Sequence, residues 1–160
     1  MSSQNYRERR DADRLRTAAH ELAHACVALE FGLEVDRVEV FEPDQFARIS
    51  GLTTLTHRAV ALARDAAPEL QRTAQGVDAI IALAGHVADS FIGEDYARID
   101  RANARRHLGM KVTREEAKLL LGEADRIVKK YWPRICVDAA PILADCGVLN
   151  GEEVKALLQD

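Results

Sequence analysis

The chain has few aromatic residues (5% of 160), only three cysteines and only four prolines. Scarce aromatics beside abundant alanine point to a core of helices packed closely through small side chains. Cys26, Cys136 and Cys146 cannot all pair and show no CxxC spacing, so neither a disulfide framework nor a zinc ribbon is expected, and a reducing, cytoplasmic setting fits best. No apolar run approaches the roughly 20 residues of a membrane span; the longest lies around Ala79–Ala84. The N-terminus, MSSQNYRERRDADRLR, is polar from its first residues and lacks the apolar segment of a secretory signal. Nor is there a GxxxxGK[ST] phosphate loop. The net charge of −4 is mild and both signs are interspersed, so no nucleic-acid or membrane partner is expected.

What is present is an ordinary globular balance, 48% hydrophobic and 30% charged, enough for one packed domain. Residues 1–14 read as a charged N-terminal tail, frayed or loosely helical, and residues 15–160 as a single domain. From Leu15 the apolar residues Ala18, Ala19, Leu22, Ala23, Cys26 and Val27 recur at helical spacing, and Gly32 suits the terminator. Val35 to Val40 alternates and is rich in valine, which predicts a strand. Glu42-Pro43-Asp44-Gln45 breaks it, and a second short strand is expected from Ile49 to Thr56, with Gly51 a kink or a point of close backbone approach.

The remainder reads as helices: Arg58 to Arg72, with Pro68 a potential interruption; an apolar, buried Val77 to Ile92 ending at Gly93; and Ile99 to Leu108. A long helix opened by the capping-box sequence Thr113-Arg114-Glu115-Glu116 is expected to reach about Tyr131. Pro133 suits a first helical position and Gly147 a helix end. Asn150 caps a last short helix. The expected fold is mostly α with a small β element (α+β), the sheet having two to three strands.

The chemistry-bearing feature is His20-Glu21-Leu22-Ala23-His24, an HExxH motif inside the first helix. Residues four apart share a helix face one turn apart, so both imidazoles reach one metal ion, and nitrogen ligands joined by an oxygen suit Zn²⁺. Glu21, beside the first ligand, takes a proton from the metal-bound water and passes it to the leaving amine, while the metal acidifies that water and polarises the scissile carbonyl. The competing description is two surface histidines on a solvated helix face. The alanine-rich, proline-free surroundings favour the metal. A catalytic zinc has three protein ligands, and spacing alone leaves His57, His86, Asp89, Glu94, Asp95, Asp100 and His107 all open as the third. Taken singly, His57 reads as a loop histidine and His107 as a solvated helix-end residue.

Several segments together resemble the peptidase domain of the FtsH family of zinc metalloproteases. TAAHELAHACVALE (17–30) followed by VDRVEV (35–40) is similar to the family's threonine, HEAGHAVV-type helix and HKVTI-type strand. ISGLT (49–53) stands where the family has ALGYT, and IALAGHVAD (81–89) where it has LLGGRAAE. ARID (97–100) with Ala104 stands for GAxNDLxxAT, and VLNGEEVKALL (148–158) follows the family's ending TLDGEEIxxLL. The resemblance spans roughly Thr17 to Leu158, with the motifs in order.

It implies an FtsH-peptidase-like helical zincin domain holding one Zn²⁺ per chain. His20, His24 and Asp100 would be the metal ligands, Glu21 the catalytic base, and Asp89 the carboxylate that supports a ligand histidine from behind. Gly51, Leu52 and Thr53 would lie on a strand edge that pairs with an extended peptide or protein substrate. Where the family has glycine, asparagine, arginine and glutamate, this chain has Tyr96, Ile99, His86 and Asp89. His86 is therefore an additional candidate for metal or substrate contact, although a half-buried, hydrogen-bonded histidine is the simpler expectation. Family members carry membrane anchors and an AAA ATPase module, for which this chain has no room, so the expected substrates are flexible peptides or exposed segments cut without ATP. The family's hexamers make a homo-oligomer a further implication. Two alternatives accompany this reading: a single-target regulatory protease of the ImmA/IrrE type, and a non-catalytic zinc-binding interaction domain.

Overall fold

The computed structural model describes residues 3–42, 49–93, 103–106 and 113–159. The fold is mostly helical with one three-stranded antiparallel sheet, the α+β class expected. Helix α1 (Ser3–Glu30) is continuous and includes the polar segment read from sequence as a tail. Its second half is the centre of the molecule: Ala18, Leu22, Ala23, Ala25, Cys26, Val27 and Ala28 are fully buried. Small side chains on this stretch let neighbouring elements approach closely, the packing the alanine-rich composition foretold. Burial pushes the Cys26 thiol above its ordinary value, which keeps it a neutral core side chain.

Strands β1 (Val35–Phe41) and β2 (Ser50–Leu55) pair antiparallel, and β1 pairs on its other side with β3 (Val148–Asn150). The order is β2-β1-β3, so β2 is an edge strand among the described residues. The register slips between Val35 and Arg37. This bulge exposes Asp36 and Arg37 in succession while Val35 and Val38 both point inward. The strict alternation expected of this segment therefore holds only from Arg37 onward. Asn150 ends β3 and also caps α6 (Gly151–Gln159): its side chain accepts from Glu153 N (3.0 Å), and the Glu153 carboxylate accepts from Asn150 N (2.8 Å). A β-carbon at Gly151 would overlap the Val35 carbonyl oxygen, so only glycine lets α6 start this close to β1.

Three helical expectations need correction. The expected Arg58–Arg72 helix is divided into α2 (Ala59–Ala63) and the start of α3 (Pro68–Ile92). Pro68 occupies the first position of α3, where its fixed φ and missing N–H carry no penalty. α3 thus begins at Pro68, not Val77; its exposed start (Pro68–Leu70) hides it from a search for apolar spacing. Gly93 ends it in the left-handed conformation (φ 83°), as expected. Pro133 lies inside α4 (Arg114–Arg134) rather than opening a helix. The chain runs on through a π-helical turn at Ile135–Ala139 into α5 (Ala140–Cys146). Ile127, Val128, Ile135, Ala139 and Leu143 are buried throughout this run, and their shared packing overrides the local proline preference; the wide turn absorbs the mismatch. The capping box at Thr113 is present in both directions. Of the expected Ile99–Leu108 helix, only residues 103–106 lie within the described residues, and these are helical.

The end of α1 is tied to α4 by Glu30, whose carboxylate accepts from Lys130 Nζ (2.8 Å) and the Tyr131 hydroxyl (2.7 Å). These donors, Lys130 first, hold Glu30 below the usual carboxylate range. A carboxylate whose pKa is lower folded than unfolded contributes stability above its unfolded value, and loses it as pH falls through the folded one. Glu30→Gln is therefore expected to lower unfolding free energy by about 1 kcal/mol at pH 7, with the difference from wild type disappearing as pH falls below the unperturbed glutamate value of about 4.3. Urea titrations at pH 7 and at about pH 3 check this; an equal difference at both pH values would refute it.

Candidate metal centre

α1 presents His20 and His24 to one face of α3, and each ring is held from behind. His24 Nδ1 lies 2.7 Å from the Ile81 carbonyl oxygen, which can only accept, so that nitrogen carries the proton. His20 Nδ1 lies 2.9 Å from Asp89 Oδ1, and the buried carboxylate likewise accepts from Nδ1–H. In the metal-binding form of each ring the lone pair is therefore on Nε2. The two Nε2 atoms stand 3.2 Å apart, with the rings edge to face at 75°.

Two nitrogens bound tetrahedrally to zinc at about 2.0–2.1 Å are separated by roughly 3.3–3.4 Å. The observed spacing is close to that edge. Lone pairs converging at this distance repel, and a cation placed between them turns the repulsion into two bonds. The residues fit zinc on a second observation as well. A β-carbon at Gly85 would lie 2.5 Å from His20 Cε1 and 2.6 Å from His24 Nε2, so the missing side chain is the room the imidazole pair occupies. Ile81, Gly85 and Asp89 are spaced four apart on α3 and form one stripe facing the histidines: a carbonyl for His24, a gap, and a carboxylate for His20.

Glu21, one residue along α1, points instead toward the sheet. Thr53 Oγ1 lies 2.8 Å from Glu21 Oε2 and 2.8 Å from the Glu21 carbonyl oxygen, and its single proton serves either acceptor. A β-carbon at Gly51 would fall 2.7 Å from Glu21 Oε1, so this glycine, expected to mark a close approach, makes room for the carboxylate. Glu21, His24, Gly51, Leu52 and Thr53 line a cleft of about 370 Å³, running beside edge strand β2.

The sequence candidates are thus distributed unequally. His20, Glu21, His24, Asp89 and the Gly51–Thr53 segment converge. Asp89 meets the Nδ1 side of His20, away from the converging Nε2 atoms, which is a supporting position. His86 follows Gly85 on α3, half-buried, with Nδ1 shielded and without a hydrogen-bond partner among the described residues, unlike the satisfied histidine anticipated. His57 is exposed between β2 and α2. Asp100, Glu94, Asp95, Tyr96, Ile99 and His107 lie outside the described residues, and among those described no third His, Cys, Asp or Glu completes a metal-ligand set. Two contributors went unassigned from sequence. A glycine inside a buried apolar helix is a legible sign of close approach, and Gly85 carried it; the Ile81 carbonyl carries no sequence signal at all.

No protein-family model matches the chain, and no curated protein matches it. No helix among the described residues is long and apolar enough to cross a membrane.

Proposed function

We propose that this chain is a zinc-dependent metallopeptidase, similar to the peptidase domain of the FtsH family, hydrolysing peptide bonds in flexible, extended segments of a peptide or protein in a cytoplasmic setting. The observation that carries the proposal is the pair of Nε2 atoms 3.2 Å apart, each with its tautomer set by a partner on α3. His20 and His24 would hold one zinc ion, with Asp100 completing the set as the resemblance implies. When bound, the ion supplies Lewis acidity, which acidifies a water and polarises the scissile carbonyl.

The chain's own residues supply the rest. Asp89 and the Ile81 carbonyl each accept from Nδ1, which leaves Nε2 of both imidazoles for the metal and fixes the rings in orientation. Glu21 Oε2 is engaged by Thr53, leaving Oε1 to accept a proton from the attacking water and return it to the leaving amine. β2, the edge strand of the sheet among the described residues, lines the cleft, and a strand edge suits an extended segment through main-chain hydrogen bonds with little dependence on side chains.

The test is metal content together with cleavage of an unstructured peptide. Zinc is expected at close to one per chain, with cleavage abolished by a chelator and restored by added zinc. Failure to bind zinc at micromolar concentration would overturn the proposal.

A further inference from the structure

The geometry points to Thr53 as the residue that positions Glu21, an inference that rests on the peptidase reading and assigns the threonine side chain to the base rather than to substrate. Thr53 and Gly51 are two apart on β2 and pair with Val38 and Val40, whose side chains are buried. Period two in a strand puts both on the inward face, toward α1, while Leu52 between them is exposed. The inward face thus meets Glu21 at two points: a hydroxyl 2.8 Å from Oε2 and a glycine against which Oε1 and the side-chain stem lie.

A glutamate carries three side-chain torsions, and a free one samples many positions of its carboxylate. Here the single hydroxyl proton of Thr53 is shared between Oε2 and the Glu21 carbonyl oxygen, each 2.8 Å away, so the hydroxyl sits against both the carboxylate and the same residue's backbone. The carboxylate is thereby fixed relative to the turn of α1 that bears His20 and His24. No hydrogen bond among the described residues reaches Oε1, which lies against Gly51, a residue that lines the cleft with Glu21. Since proton transfer requires the acceptor within about 2.6–3.2 Å of the proton's heavy atom, fixing one oxygen sets where the other can act. The strand that fixes it is the sheet's edge, so one element sets both the peptide's lateral position and the base's.

The experiment compares wild type with Thr53→Val, which keeps shape and loses the hydroxyl, and Thr53→Ser, which keeps the hydroxyl. For Thr53→Val we expect kcat to fall about 10-fold or more, with KM within about 2-fold and zinc content unchanged, because the loss of a positioned group acts on the reacting geometry. Thr53→Ser should recover most of that loss. A KM rise at constant kcat would place Thr53 on substrate and overturn the assignment, as would wild-type kcat in Thr53→Val. A readout independent of turnover is a double-mutant cycle with Glu21→Ala, followed by urea unfolding of the metal-free protein. Thr53→Val should cost less when Glu21 is already truncated, and strict additivity would overturn the contact itself. If wild type cleaves nothing, both the peptidase reading and the positioning role fall, and non-additivity would then report a purely structural bond; if wild type cleaves and Thr53→Val cleaves equally, only the positioning role falls.

Discussion

Glu21→Gln is expected to lower kcat/KM for an unstructured peptide by about 10²–10⁴-fold while leaving zinc content as in wild type. The substitution preserves the shape of the side chain, and an amide oxygen still accepts from the Thr53 hydroxyl that lies 2.8 Å from Oε2. The space above Gly51 remains filled in the same way. What glutamine cannot do is take a proton at Oε1 and give it back. His20 and His24 keep Asp89 and the Ile81 carbonyl as their partners, and among the described residues Glu21 is hydrogen-bonded to Thr53 rather than to either of these, so the metal site is undisturbed. Parallel measurement of zinc by elemental analysis and of cleavage by peptide chromatography separates the outcomes. Cleavage by Glu21→Gln at the wild-type rate means the proton is carried by another group. Full zinc content in a wild-type protein that cuts nothing instead marks a metal-holding interaction domain on the same helix pair.

The site was legible in sequence to the extent that it depends on side chains at helical spacing. His20, Glu21 and His24 are fixed by one turn of one helix, so the motif alone predicts which face they share. Asp89 stood among the open ligand candidates, and its supporting role was reached only through the resemblance of 81–89 to a family segment, because the pairing of α3 with α1 is a tertiary fact that no local rule supplies. Where a side chain meets backbone, as His24 meets the Ile81 carbonyl, any residue at 81 would serve and the sequence holds no trace. The same division runs through the fold. The Thr113 capping box and the Gly93 terminator act locally and were readable. Pro133 was misread because the buried run from Ile127 to Leu143 keeps the chain helical past it. The bulge at Val35/Arg37 was missed because a valine-rich alternating string looks regular until its partner strand sets the register.

Gly85→Ala should abolish high-affinity zinc binding, a loss of about 100-fold or more, with the helical content of the protein retained. The added methyl has nowhere to go: at 2.5 Å from His20 Cε1 and 2.6 Å from His24 Nε2 it occupies the space of the rings. The imidazoles cannot step aside without breaking the bonds from His20 Nδ1 to Asp89 and from His24 Nδ1 to Ile81, and α3 cannot retreat without opening the alanine-packed interface with α1. Two effects on the metal-free protein oppose one another. Alanine in a helix interior is favoured over glycine by about 1 kcal/mol, whereas overpacking a core costs about 1–3 kcal/mol. The metal-free protein therefore loses about 0–2 kcal/mol, and the discriminating quantity is the response to zinc. Wild type at 100 times the dissociation constant gains about 2.7 kcal/mol, visible as a rise in Tm; Gly85→Ala should show no rise at the same concentration. Gly122→Ala is the matched control, since it also lies inside a helix but a β-carbon there meets nothing. It should keep the full zinc response and gain up to about 1 kcal/mol. Retention of the wild-type zinc response by Gly85→Ala would show that the metal does not sit between these two rings.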